Sequence, residues 1–95
     1  MSIRVTKRKM ESSGSSHERI AELEYINQEN FETRRSSRDQ VHDWLKNDKG
    51  IAFVTDTDGD KVYVYPRENQ YGTKYVQTYA DNTWKDNLLH LPQYY

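Results

Sequence analysis

The 95-residue chain has no cysteine, so disulfides, thiolate nucleophiles and thiolate metal sites are all excluded. It carries only two prolines and four glycines. No apolar run approaches the ~20 residues of a membrane-spanning helix. The segment Met1-Ser2-Ile3-Arg4-Val5 lacks the apolar core of a secretory signal. These absences set the expectation of a cytoplasmic protein with no membrane partner. Charge of one sign is missing too: 14 basic and 15 acidic residues leave a net charge of −1. Nothing in that balance steers the chain toward a polyanion.

Aliphatic residues are scarce, and aromatic ones fill the gap. Apolar residues make up 34% of the chain and aromatics 13%, with eight tyrosines and two tryptophans. Aromatic side chains bury the most area each, so a few can support a core that aliphatics alone could not. A chain of this length is expected to form one small domain over residues 1–95.

Ile3 to Arg8 alternates apolar and basic positions, which predicts a half-buried strand with Ile3 and Val5 inward. Residues 11–17 are serine-rich and read as a flexible loop. Between Arg19 and Asn27, Ile20, Leu23 and Ile26 fit a helical spacing, while Leu23 and Tyr25 fit a strand; the strand is preferred and the helix stays open. Asn27 to Arg35 reads as loop.

Ser37 followed by Gln40 predicts a capping box, and Val41, Trp44 and Leu45 form one apolar helical stripe behind it. Asn47 to Gly50 supplies the stop, with Gly50 expected at positive φ. Ile51–Thr55 and Lys61–Tyr65 flank Asp58-Gly59, which predicts a hairpin with a two-residue type I′ turn. That register opposes Thr55 with Val62 and Phe53 with Val64. It would send Ile51, Phe53, Val62 and Val64 toward the helix, and Ala52, Val54, Tyr63 and Tyr65 outward. Pro66 ends the second strand, Lys74 to Tyr79 forms the last one, and Asp81-Asn82 marks a turn. The expected architecture is α+β: a mainly antiparallel sheet of about five strands with one amphipathic helix on one face, in the order β-β-α-β-β-β.

Asp56, Asp58 and Asp60 resemble the start of a calcium loop, but the positions that need glycine and glutamate hold Lys61 and Arg67. His17, His42 and His90 have no metal spacing and read as solvent-facing. No metal, cofactor or catalytic residue is expected, and the pattern points away from an enzyme. The candidate interaction surface is aromatic. Tyr63 and Tyr65 share a face with Tyr75 and Tyr79 if the last strand pairs beside them, and the basic residues that could flank it are Arg4, Lys7, Arg8 and Lys9, or Arg34, Arg35 and Arg38. A protein partner or self-association suits such a face. The alternative is single-stranded nucleic acid stacked on the tyrosines with those arginines nearby.

Leu88, Leu89 and Leu91 form the densest aliphatic cluster, which predicts a closing segment over residues 86–95 with Asn87 capping its turn. Gly72-Thr73-Lys74-Tyr75-Val76-Gln77-Thr78, then Ala80-Asp81, then Asn87-Leu88-Leu89-His90-Leu91-Pro92 resembles the C-terminal signature of a prokaryotic domain of unknown function, number 3892. Ile3-Arg4-Val5, His17 with Ile20, and Gly59 with Val62 and Val64 also sit where that family would place them. Thr73 and Val76 depart from its pattern. The resemblance implies a shared fold and no particular activity.

Overall fold

The computed structural model describes residues 2–11 and 16–94. Among these residues the centre is a seven-stranded sheet in the order β3-β2-β1-β4-β5-β6-β7, with one α-helix, α1 (Arg38–Asn47). The strands are β1 (Ser2–Met10), β2 (Ile20–Asn27), β3 (Thr33–Ser37), β4 (Ile51–Thr55), β5 (Lys61–Glu68), β6 (Lys74–Ala80) and β7 (Thr83–Lys85). All neighbours pair antiparallel except β1 with β4, which run parallel over Ser2–Arg4. The expected α+β class and mainly antiparallel sheet are present, but with seven strands in place of about five and in the order β-β-β-α-β-β-β-β in place of β-β-α-β-β-β. Residues 20–27 form the strand, not the helix.

Both additional strands lie at sheet edges. β3 reads Thr-Arg-Arg-Ser-Ser and has no apolar side chain, so no alternation betrays it. β7 is three residues long, and Asp81 (φ 55°) and Asn82 (φ 62°) join it to β6. Positive φ at both central residues is the type I′ geometry, so the tight hairpin expected at Asp58-Gly59 occurs here instead.

The β4–β5 connection takes another form. Gly59 N–H donates to the Asp56 carbonyl at 3.0 Å, Gly59 lies at φ 86°, and Asp56 N–H donates to the Asp60 carbonyl at 2.9 Å. This is a three-residue loop with a bulge at glycine. It pairs Thr55 with Lys61, Val54 with Val62, Phe53 with Tyr63 and Ala52 with Val64. One residue of extra loop flips β4 relative to the expected register. Ala52 and Val54 therefore join the core with Val62 and Val64, while Phe53 lies on the opposite face of the sheet beside Tyr63, where it is buried.

The capping box forms as the sequence predicts. Ser37 Oγ accepts from Gln40 N–H at 3.1 Å, and Gln40 Oε1 accepts from Ser37 N–H at 3.0 Å. Val41 and Leu45 are buried in one core with Ile3, Val5, Ile20 and Leu23, and Trp44 packs against it half-buried. The helix stop is corrected in one respect: Lys49 (φ 54°) takes the left-handed conformation, not Gly50. Gly50 is needed for space, because a Cβ there would overlap the Trp44 ring.

β1 bends at Thr6, an extra residue between the Val5–Tyr25 and Lys7–Glu24 pairs, whose hydroxyl donates to the Glu24 carbonyl at 3.3 Å. Past Arg4 the pairing with β4 ends, and the C-terminal segment takes that side of β1. Arg8 N–H donates to the Pro92 carbonyl at 3.0 Å, and Tyr94 N–H donates to the Arg8 carbonyl at 2.9 Å. Leu88 is fully buried in the same core. Asn87 does not cap the turn: Asp86 stands at the cap position, and Asn87 Oδ1 accepts from the Thr78 hydroxyl at 3.2 Å. Of the loop expected at residues 11–17, residues 12–15 lie outside the described set, whereas His17 opens a 3-10 turn to Arg19 and is buried.

Candidate functional site

Side chains on alternate positions of β4 to β7 point away from the core and build one aromatic surface. The ladders place Phe53 opposite Tyr63, Tyr63 opposite Tyr79, and Tyr79 opposite Trp84. Tyr65 stands opposite Gln77, and Arg67 opposite Tyr75. Four of these rings are open to solvent: Tyr63 at 42%, Tyr65 at 44%, Tyr79 at 37% and Trp84 at 39%. They interlock edge to face, with centroids 6.3 Å apart for Tyr65–Tyr79 and 4.9 Å for Tyr79–Trp84.

Two cations lie on the same face, each over a ring. The Arg67 guanidinium is 4.1 Å from the Trp84 ring centre and 5.5 Å from that of Tyr75, and Lys61 Nζ is 4.7 Å from Phe53. Arg67 Nη1 also donates to Gln77 Oε1 at 2.8 Å, which fixes its position. Tyr75 lies buried below it. A groove of about 500 Å³ adjoins the patch, lined by Lys49, Ile51, Tyr63, Tyr65 and Pro66 among others.

The structure thus gathers Tyr63, Tyr65 and Tyr79 on one open face, with Tyr75 on the same side but covered. It does not bring the arginine cluster to them. Arg34 and Arg35 are on β3, at the other edge of the sheet order. Arg34 pairs with Glu32 at 2.8 Å, and that hydrogen bond raises its pKa further. Arg35 pairs with Glu24 at 3.0 Å and stacks over Tyr94 at 4.1 Å. Arg38 is largely enclosed and donates to the Glu18 carbonyl, with Glu11 3.4 Å away.

Two histidines are buried, contrary to the solvent-facing expectation. His42 shares a 2.9 Å hydrogen bond with Asp43, which also accepts from Lys74 at 3.1 Å; the two bonds hold the Asp43 carboxyl below the usual range. His17 Nε2 has no partner among the described residues, and burial pushes its pKa down. His90 is exposed. Among the described residues no three metal-ligating side chains converge. Asp56 works as a loop residue, its Oδ1 accepting from the N–H groups of Asp58 and Asp60, each at 2.9 Å. A smaller cleft of about 230 Å³ beside α1 is lined by Ile3, Tyr25, Ser36, Gln40, Val41 and Trp44.

Sequence reasoning missed Trp84, Phe53, Lys61 and Arg67 as members of the aromatic face. The register slip at Asp56–Asp60 hid Phe53, and the unrecognised strand β7 hid Trp84. Lys61 and Arg67 had a usable signal, since each is an even number of residues from Tyr63 and Tyr65 on one strand.

The chain belongs to the family described as protein of unknown function (DUF3892), whose model matches residues 3–92. No curated protein and no solved structure matches it. Membership therefore brings a family and no activity.

Proposed function

We propose that the protein is a non-enzymatic, single-domain interaction module that binds a protein partner through the outer face of β4 to β7. The observation that carries this reading is the contiguous set of exposed rings Tyr63, Tyr65, Tyr79 and Trp84 on a rigid sheet. Tyrosine, tryptophan and arginine are the residues that dominate protein interfaces, since they bring large contact area at small ordering cost. Here Arg67 and the rings already hold one another in place, so little more is lost on binding.

Nucleic-acid binding has less support. Arg34 and Arg35 are occupied by Glu32 and Glu24 at the far edge of the sheet order, and the net charge is −1. Absence of cysteine suits a reducing, cytoplasmic setting, and the Asn87–Pro92 signature suits a prokaryotic one. The test compares immobilised wild type with a variant carrying Tyr65→Ser and Tyr79→Ser, each shown folded by circular dichroism. A protein retained from lysate by wild type and lost by the variant supports the reading. Equal retention by both removes it.

A further inference from the structure

The charges on the aromatic face all have one sign. Reading the ladders across, the outward positions are Phe53 and Thr55 on β4, Lys61 to Arg67 at alternate places on β5, Tyr75, Gln77 and Tyr79 on β6, and Trp84 on β7. None of them is a carboxylate. Lys61 and Arg67 make no ion pair among the described residues, so both charges are available to a ligand.

The polar groups of the rings add to that bias. The hydroxyls of Tyr63, Tyr65 and Tyr79 make no hydrogen bond to a described residue, unlike those of Tyr25 and Tyr94. A phenol in water is a ready donor. Ring faces are largely used inside the patch: in each T-shaped pair one face meets the neighbour's edge, and Arg67 and Lys61 sit over Trp84 and Phe53. A base-stacking platform needs open ring faces. This patch instead offers donors, ring edges with their partial positive charge, and two cations.

We infer that the partner surface is carboxylate-rich: Arg67 and Lys61 receive Asp or Glu side chains while apolar residues pack between Tyr65, Tyr79 and Trp84. This rests on the reading of the face as a protein-binding surface and specifies its chemistry. Arg67 suits the role because its guanidinium, held over Trp84 and by Gln77, retains N–H groups for a carboxylate.

The test uses three labelled probes read by fluorescence anisotropy: an octapeptide alternating glutamate and leucine, the same peptide with glutamine for glutamate, and an oligothymidylate. The glutamate probe is expected to bind about five- to tenfold more tightly than the glutamine probe at about 50 mM salt, with the gap closing near 500 mM. Lys61→Gln with Arg67→Gln should erase the gap and leave the residual binding of the glutamine probe. Equal affinity for the two peptides, or a preference that survives the double substitution, overturns the inference while the protein-binding reading stands. Tighter binding of oligothymidylate, or a dimer seen by sedimentation that is lost with Tyr65→Ser, overturns it in favour of nucleic acid or a second copy. Binding of no probe overturns it as well. Probe binding that is unaltered by Tyr65→Ser and Tyr79→Ser ends both readings, because the contact is then elsewhere.

Discussion

The Tyr79 ring meets the Trp84 indole at 4.9 Å and 70° across a two-residue turn. This single contact ties the shortest strand of the sheet to the rest and extends the aromatic surface onto β7. Because Arg67 stacks on the other ring of the pair, the three side chains form one unit. A double-mutant cycle on Tyr79→Ala and Trp84→Ala, measured by urea unfolding, should give a coupling energy of about 0.5–1.5 kcal/mol. Strict additivity would mean that the rings merely share a surface.

Gly50 and Trp44 make a sharper prediction. A Cβ on Gly50 overlaps the indole, which must then leave its place against the core. Gly50→Ala should cost about 1–3 kcal/mol, as overpacked sites do. Since Gly50 has no positive φ, an unchanged unfolding midpoint would show that the ring moves aside freely.

Leu88 is fully buried at the end of the chain, where the 3-10 turn Asn87–His90 brings it into the core. Leu88→Ala should lose about 2–5 kcal/mol, and deleting residues 87–95 should unfold the protein. Thermal melting decides both. A truncated chain with native stability would mean that the segment is dispensable.

Two groups set opposite pH limits. Burial, with the Glu22 hydrogen bond second, pushes the Tyr94 phenol up to about 12 from its ordinary 10.0. The unfolded chain then loses this proton first, so stability from Tyr94 is intact below pH 10.0 and is lost as pH rises toward 12. At the acid end, burial lowers the His17 pKa from 6.5, so the unfolded chain gains its proton first and stability falls as pH drops below 6.5. Urea unfolding across pH should show both slopes. Tyr94→Phe should flatten the alkaline one and His17→Asn the acid one, and unchanged slopes would refute the assignments.

The start of the helix and its buried stripe were legible, because a capping box and an i, i+3, i+4 stripe are local signals; the residue that takes the left-handed conformation at its stop was not, being Lys49 in place of Gly50. The hairpin register was not, although its signal was present. Asp56 and Asn69 open loops of one design: each side chain accepts from the N–H groups two and four residues on, and glycine follows three residues later at positive φ. That Asx-x-x-Gly spacing distinguishes a three-residue loop from the two-residue turn that Asp58-Gly59 suggests by itself. β3 had no signal, since an edge strand made of Thr, Arg and Ser buries nothing. Among the candidate residues, Tyr63, Tyr65 and Tyr79 were readable from strand parity. The separation of Arg34, Arg35 and Arg38 from them was not, because it depends on strand order, which only the folded sheet reveals.

A protein partner is expected to rest on the outer face of β4 to β7. Hydroxyl-radical footprinting of the protein with and without its captured partner tests it most directly. Protection should fall on Tyr65, Tyr79 and Trp84, with Phe31 and Tyr71, exposed at 75% and 82%, oxidised equally in both states. Protection at Phe31 or Tyr71 with the sheet face still oxidised would contradict it.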